Sequence, residues 1–68
     1  MFIVELINRA THASLGFLSE ITWRNQTGIG LQPFPFEAKH FKSEREASRQ
    51  ATEFVADQQK TLIVIKEV

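Results

Sequence analysis

The chain has 68 residues, eight basic against eight acidic side chains for a formal net charge of zero, and no cysteine. A chain this short makes one domain with one core. The missing cysteines exclude disulfides and thiolate metal sites, and the balanced charge argues against the basic excess of a nucleic-acid binder. Domains of this size usually lean on disulfides, a metal or an oligomer partner. His12 and His40 are too few for a zinc site without carboxylates around them, so oligomerisation is the aid left, and no cofactor or metal is expected. No apolar run reaches the ~18 residues that span a bilayer. The start, MFIVELINR, lacks the basic region and cleavage site of a signal peptide, so a cytoplasmic location is expected and no membrane partner.

Residues 2–8 are β-branched and aromatic and read as a strand, with Phe2, Val4 and Leu6 on one face and Ile3, Glu5 and Ile7 on the other. Residues 9–13 are a hairpin loop. Residues 14–24 alternate: Leu15, Phe17, Ile21 and Trp23 share one face, and Gly16, Leu18, Glu20, Thr22 and Arg24 share the other.

Residues 25–37, NQTGIGLQPFPFE, carry Gly28, Gly30, Pro33 and Pro35 and are expected to be irregular. Ile29, Leu31, Phe34 and Phe36 are too apolar for a solvated linker, so this loop either folds back over a sheet face or docks on a partner. Residues 38–42 read as a short strand with Phe41 inward. Ser43 followed by Glu46 has the form of a capping box opening a helix. Ala47, Ala51, Phe54 and Val55 form its apolar stripe, with Lys60 suiting the negative end of its dipole.

Residues 61–68 close the chain as a strand, and Leu62 to Ile65 is apolar without alternation. A run of that kind is covered on both faces. One helix covers one face only, so the other asks for the 25–37 loop or a second chain. Ile3, Ile7, Leu18, Ile63 and Ile65, with Phe34 and Phe36 of the loop, are therefore the candidate partner interface.

The fold these elements predict is α+β, a single domain over residues 1–68. It runs β-β-β-α-β, with one helix packed on a mostly antiparallel four-stranded sheet ordered 3-2-1-4. The last strand is expected parallel to the third. The expected core is Phe2, Val4, Leu6, Phe17, Ile21, Phe41, Ala47, Ala51, Phe54, Val55 and Val64.

Candidate chemistry is sparse. Gly28-Ile29-Gly30 lacks the third glycine and the following helix of a phosphate-binding turn. His12, Ser14 and Asp57 are not spaced as a nucleophile, base and orienting group, and His40 has no such set either, so no catalytic residue is expected. Arg24, Lys39, Lys42, Arg45 and Arg49 are candidate nucleic-acid contacts if the second strand's end, the third strand and the helix start lie together, with Trp23, Phe34 and Phe36 as stacking surfaces. The segment FKSEREASRQATEF resembles, at Phe41, Ser43, Glu46 and Ala47, the strand-to-helix step of the AP2-like arm-binding domains of phage-type integrases. A further strand after the helix and the neutral charge depart from those domains.

The function these features point to is a small non-enzymatic interaction or regulatory module that self-associates as a homodimer. Compact chains like this one look similar to accessory proteins of phages and prophages. Nucleic-acid binding is the alternative.

Overall fold

The computed structural model describes residues 1–68. In chain order the elements are β1 (Phe2–Asn8), β2 (Ser14–Trp23), β3 (Gln26–Gln32), a 3₁₀ turn (Pro35–Glu37), α1 (Glu44–Phe54) and β4 (Thr61–Glu67). The strands form one four-stranded sheet ordered β3-β2-β1-β4, antiparallel at every pairing, with α1 packed over β1 and β4. This is the α+β architecture the sequence predicts, with one strand in a different place.

That strand is β3. Residues 26–32 are a regular strand rather than part of an irregular loop, paired with β2 from Phe17↔Gln32 to Trp23↔Gln26. The two residues between the strands, Arg24 and Asn25, both have positive φ, 50° and 63°. A two-residue turn of that kind twists with the flanking strands and closes a tight hairpin. Residues 38–42, expected as a strand, contribute only a single bridge, Phe2↔Phe41. Because the third strand is 26–32, β4 lies antiparallel to β1, its neighbour, and not parallel as expected.

The segment after β3 does something the sequence pattern does not announce. Lys39 N–H donates to the Leu18 carbonyl of β2 at 2.9 Å, and Phe41 exchanges hydrogen bonds with Phe2 of β1 at 2.8 and 2.9 Å. The chain thus passes between the splayed ends of β1 and β2. Ala38 packs with Ile3 and Phe17 on the sheet side away from the helix, while Phe41 enters the main core on the helix side.

The main core comprises Val4, Leu6, Leu18, Phe41, Ala47, Ala51 and Val55, with Phe2, Ile29, Leu31, Ile63 and Ile65 packed against it. Ala47 and Ala51 are fully buried, and their small side chains let α1 lie close to the sheet. Ser43 caps the helix, its hydroxyl accepting from Glu46 N–H at 3.1 Å. The helix stops at Phe54, so Lys60 lies beyond its end, in the turn before β4.

Three core expectations are corrected, and Phe17, buried as expected, sits in a second cluster. Phe17 is buried on the opposite side, beneath Ala38. Ile21 is half-buried on that same side and lies across Gly30, where an added Cβ would collide with it. Val64, opposite Glu5 in the β1–β4 register, faces that side too. Phe54 is 38% exposed. The reason for the second-strand assignments is a bulge: the register moves from Leu6↔Gly16 to Ile7↔Ser14, leaving Leu15 as the extra residue. Gly16 has φ 119°, and a Cβ there would sit 2.8 Å from the Gln32 carbonyl oxygen, so only glycine fits.

Candidate interaction surface

β4 is an edge strand whose inner side is paired with β1 from Phe2↔Glu67 to Asn8↔Thr61. The phase of its backbone follows from the ladder's two ends. Val68 N–H donates to the Met1 carbonyl at 2.8 Å, and the Met1 amino group donates back to the Val68 carbonyl at 3.3 Å. At the other end Arg9 N–H donates to the Lys60 carbonyl at 2.9 Å. Even-numbered residues therefore turn their backbone groups toward β1. Thr61, Ile63, Ile65 and Glu67 turn theirs outward, and none of the chain's remaining backbone hydrogen bonds reaches them.

The side chains along this edge are apolar on both sides of the sheet. Ile63 and Ile65, opposite Leu6 and Val4, lie on the helix side, half-buried. Val64 is half-buried and Leu62 is 39% exposed on the other side. This corrects the expected interface face, which grouped Ile63 or Ile65 with Ile3 and Ile7. Ile3 is 4% exposed and Leu18 fully buried in the main core, so both are interior. Ile7 alone of that set stays half-open on the side away from the helix.

That side is also less bare than the sequence suggests. Its middle carries a polar bridge: the Lys66 ammonium donates to the Glu5 carboxylate at 2.8 Å, and Ser14 Oγ donates to the other carboxylate oxygen at 2.8 Å. The Lys66 hydrogen bond, then that of Ser14, holds the Glu5 carboxyl below its ordinary pKa against the opposing effect of burial. Lys66 also stands 5.7 Å from the Phe17 ring centre. One end of the side is covered by Ala38 and the other, at Ile7 and Leu62, is open.

Phe34 and Phe36 flank Pro35 in the 3₁₀ turn and stack on each other, ring centres 5.4 Å apart and planes 9° from parallel. Phe36 is 83% exposed and Phe34 54%. Pro33 and Pro35 fix two of the backbone φ angles of the segment that carries the pair. An apolar groove of about 270 Å³ lies between the helix end and the β2–β3 hairpin, lined by Leu6, Leu15, Leu31, Phe54, Val55 and Ala56 among others. Sequence reading missed this groove, because the bulge turns Leu15 toward it.

The five basic candidates are spread over three elements. Arg24 occupies the hairpin turn with its guanidinium 5.7 Å from the Trp23 ring centre. Lys39 pairs with Glu20 at 3.8 Å and stands 5.4 Å from the Phe41 ring centre. Arg45 and Arg49 share a shallow hollow with Ser43 and Glu46, and Lys42 is exposed just before the helix. The structure brings Arg45 and Arg49 together with an acid between them; the others lie apart.

Two of the residues named for catalysis have partners elsewhere. Ser14 donates to Glu5, Asp57 accepts from Gln59 N–H at 3.0 Å, and His12 sits at φ 61° in the β1–β2 loop. No three His, Asp or Glu side chains converge as a metal site would need. Gly28 and Gly30 belong to β3. No helix is long and apolar enough to cross a membrane. Compared with protein-family models, with curated proteins and with solved structures, the chain matches none.

Proposed function

We propose that this chain is a small protein-interaction module without catalytic chemistry, working through self-association. The observation that supports the reading is the outer edge of β4, an apolar strand whose outward backbone groups have no partner in the chain. An open edge of that kind is a template for another strand. A domain of this length also gains more than a larger one from burying additional apolar surface. The stacked Phe34–Phe36 pair is a further anchor for a larger target, since rigid exposed aromatics are the usual centres of binding energy.

Light scattering after gel filtration tests the reading. The expected result is a particle of twice the 7.8 kDa chain mass at high concentration, falling on dilution. Ile63→Pro is expected to give a folded monomer, because the lost N–H points away from β1 and the β1 ladder survives. Monomer mass at every concentration would refute self-association.

A further inference from the structure

We infer that a second copy of the chain adds to β4 in antiparallel fashion, with a two-fold axis level with Val64, so that two sheets become one continuous sheet. The inference rests on the self-association reading and adds to it the strand, the register and the neighbours of the axis. Two identical edge strands in one sheet meet about an axis perpendicular to that sheet, and side chains directly opposite must point to the same face. The axis is therefore level with a residue, and charge selects which one.

With the axis at Ile63, Lys60 faces Lys66 of the other copy, and like charges directly opposite destabilise a pair. With the axis at Ile65, Ile63 faces Glu67. With the axis at Val64, Ile63 meets Ile65, Val64 meets Val64, Leu62 lies along the Lys66 stem and Thr61 faces Glu67. Every residue of β4 is then paired, and Thr61, Ile63, Ile65 and Glu67 find partners for their outward groups. The chain carries no net charge, so no long-range repulsion opposes the approach.

The helix fits the same arrangement. Gln50 borders a hollow with Glu20 and Thr27, and Phe54 borders the groove with Leu31, so both mark the flank of α1 toward β2 and β3. By the helical step of about 100° per residue, Ser48 and Thr52 fall on the opposite flank, above β4. Both are exposed and small. Strands are about 4.8 Å apart, so two helices over β1 and β4 of their own copies approach to roughly 10 Å, a packing distance. Ser48 and Thr52, small and uncharged, allow that approach along the middle of the flank, with Glu44 at its N-terminal end.

The absence of native cysteine makes the register directly readable. Val64 turns its backbone groups inward, so Val64 opposite Val64 is a non-hydrogen-bonded pair with Cα atoms about 4.5 Å apart, within the ~4.4–6.8 Å of disulfides. Single-cysteine variants would be oxidised with oxidised glutathione at a concentration where the parent is dimeric. Val64→Cys is expected to cross-link almost fully, Leu62→Cys mixed with Lys66→Cys to give mainly the heterodimer, and Phe36→Cys to stay monomeric. Isotope-filtered NOEs in a mixed labelled and unlabelled parent sample are expected to link Val64 to the other copy's Val64, without any substitution. A dimeric parent whose Phe36→Cys variant cross-links in preference to Val64→Cys, and which lacks those NOEs, would overturn the β4 register while leaving self-association standing. A parent monomeric at all concentrations would overturn both.

Discussion

The two edges of this sheet are built from opposite materials. β3, QTGIGLQ, carries two glycines and runs directly into Pro33, with its first three residues exposed. β4, TLIVIKE, is a run of branched apolar residues, half-buried on both sides of the sheet. Glycine disfavours strand pairing and proline cannot donate to it, so β3 offers a poor template to a passing strand. β4 offers a good one. The difference teaches that exposure of an edge is not enough to read it as an interface; composition decides whether the edge is blunted or ready. β3 serves the fold, and β4 is the edge that the proposed self-association uses.

Substitutions separate the two roles. The largest effect is expected where neither edge is touched. Phe41 is 1% exposed and pins the crossing segment between β1 and β2, so Phe41→Ala should cost about 3–5 kcal/mol. That is much of the margin of a domain this small, and chemical denaturation reads it. Phe54→Ala, expected from sequence to be as damaging, should cost only about 1 kcal/mol because its side chain is partly in water. If Phe54→Ala unfolded the protein and Phe41→Ala did not, the core assignment would be wrong.

On the β3 side, Gly16→Ala combines a positive φ with a Cβ against the Gln32 carbonyl. It should lower stability by about 1–3 kcal/mol and leave the oligomer mass unchanged. A change in mass at equal stability would mean that the β3 edge takes part in association after all.

The smallest effect concerns pH. Glu5 has its folded pKa lowered, so it contributes stability above its unfolded value, and that contribution is lost as pH falls through the depressed folded value. Glu5→Gln should flatten the acid limb of the stability profile, by lowering stability at neutral pH while changing little below the folded pKa of Glu5. An unchanged acid limb would show that the Lys66–Glu5–Ser14 bridge contributes nothing.

Much of the fold was legible in the residues. β1, β2, α1 and β4 each announce themselves through alternation, a Ser43 cap or an apolar run, and the order 3-2-1-4 is the one expected, although β4 closes it antiparallel to β1 rather than through a parallel crossover. β3 was hidden for two physical reasons. Its turn, Arg24–Asn25, adopts the positive φ values usually signalled by Asn-Gly, without the glycine. Its own glycines read as a breaker, although Gly30 is there to make room for Ile21. The alternation of Thr27, Ile29 and Leu31 was the available signal.

The sheet faces were misread because the Leu15–Gly16 bulge shifts the β1–β2 register, and because the 38–41 segment buries Phe17 from the side the helix does not cover. For the candidate surface, the sequence points to the apolar closing strand as the feature asking for cover. It pointed to that strand's face, whereas the structure leaves open the edge. The basic candidates stay dispersed, and Lys39 is spent on Glu20. That weakens the case for a nucleic-acid track.

Amide hydrogen exchange of the parent protein tests the central claim most directly, residue by residue along β4. The account predicts protection at Leu62, Val64 and Lys66 at every concentration, because their amides bond to β1. It predicts protection at Ile63 and Ile65 only when the protein is concentrated, lost on dilution without loss of global stability. Exchange at Ile63 and Ile65 as fast as in an open chain, in a sample shown to be dimeric, would contradict it.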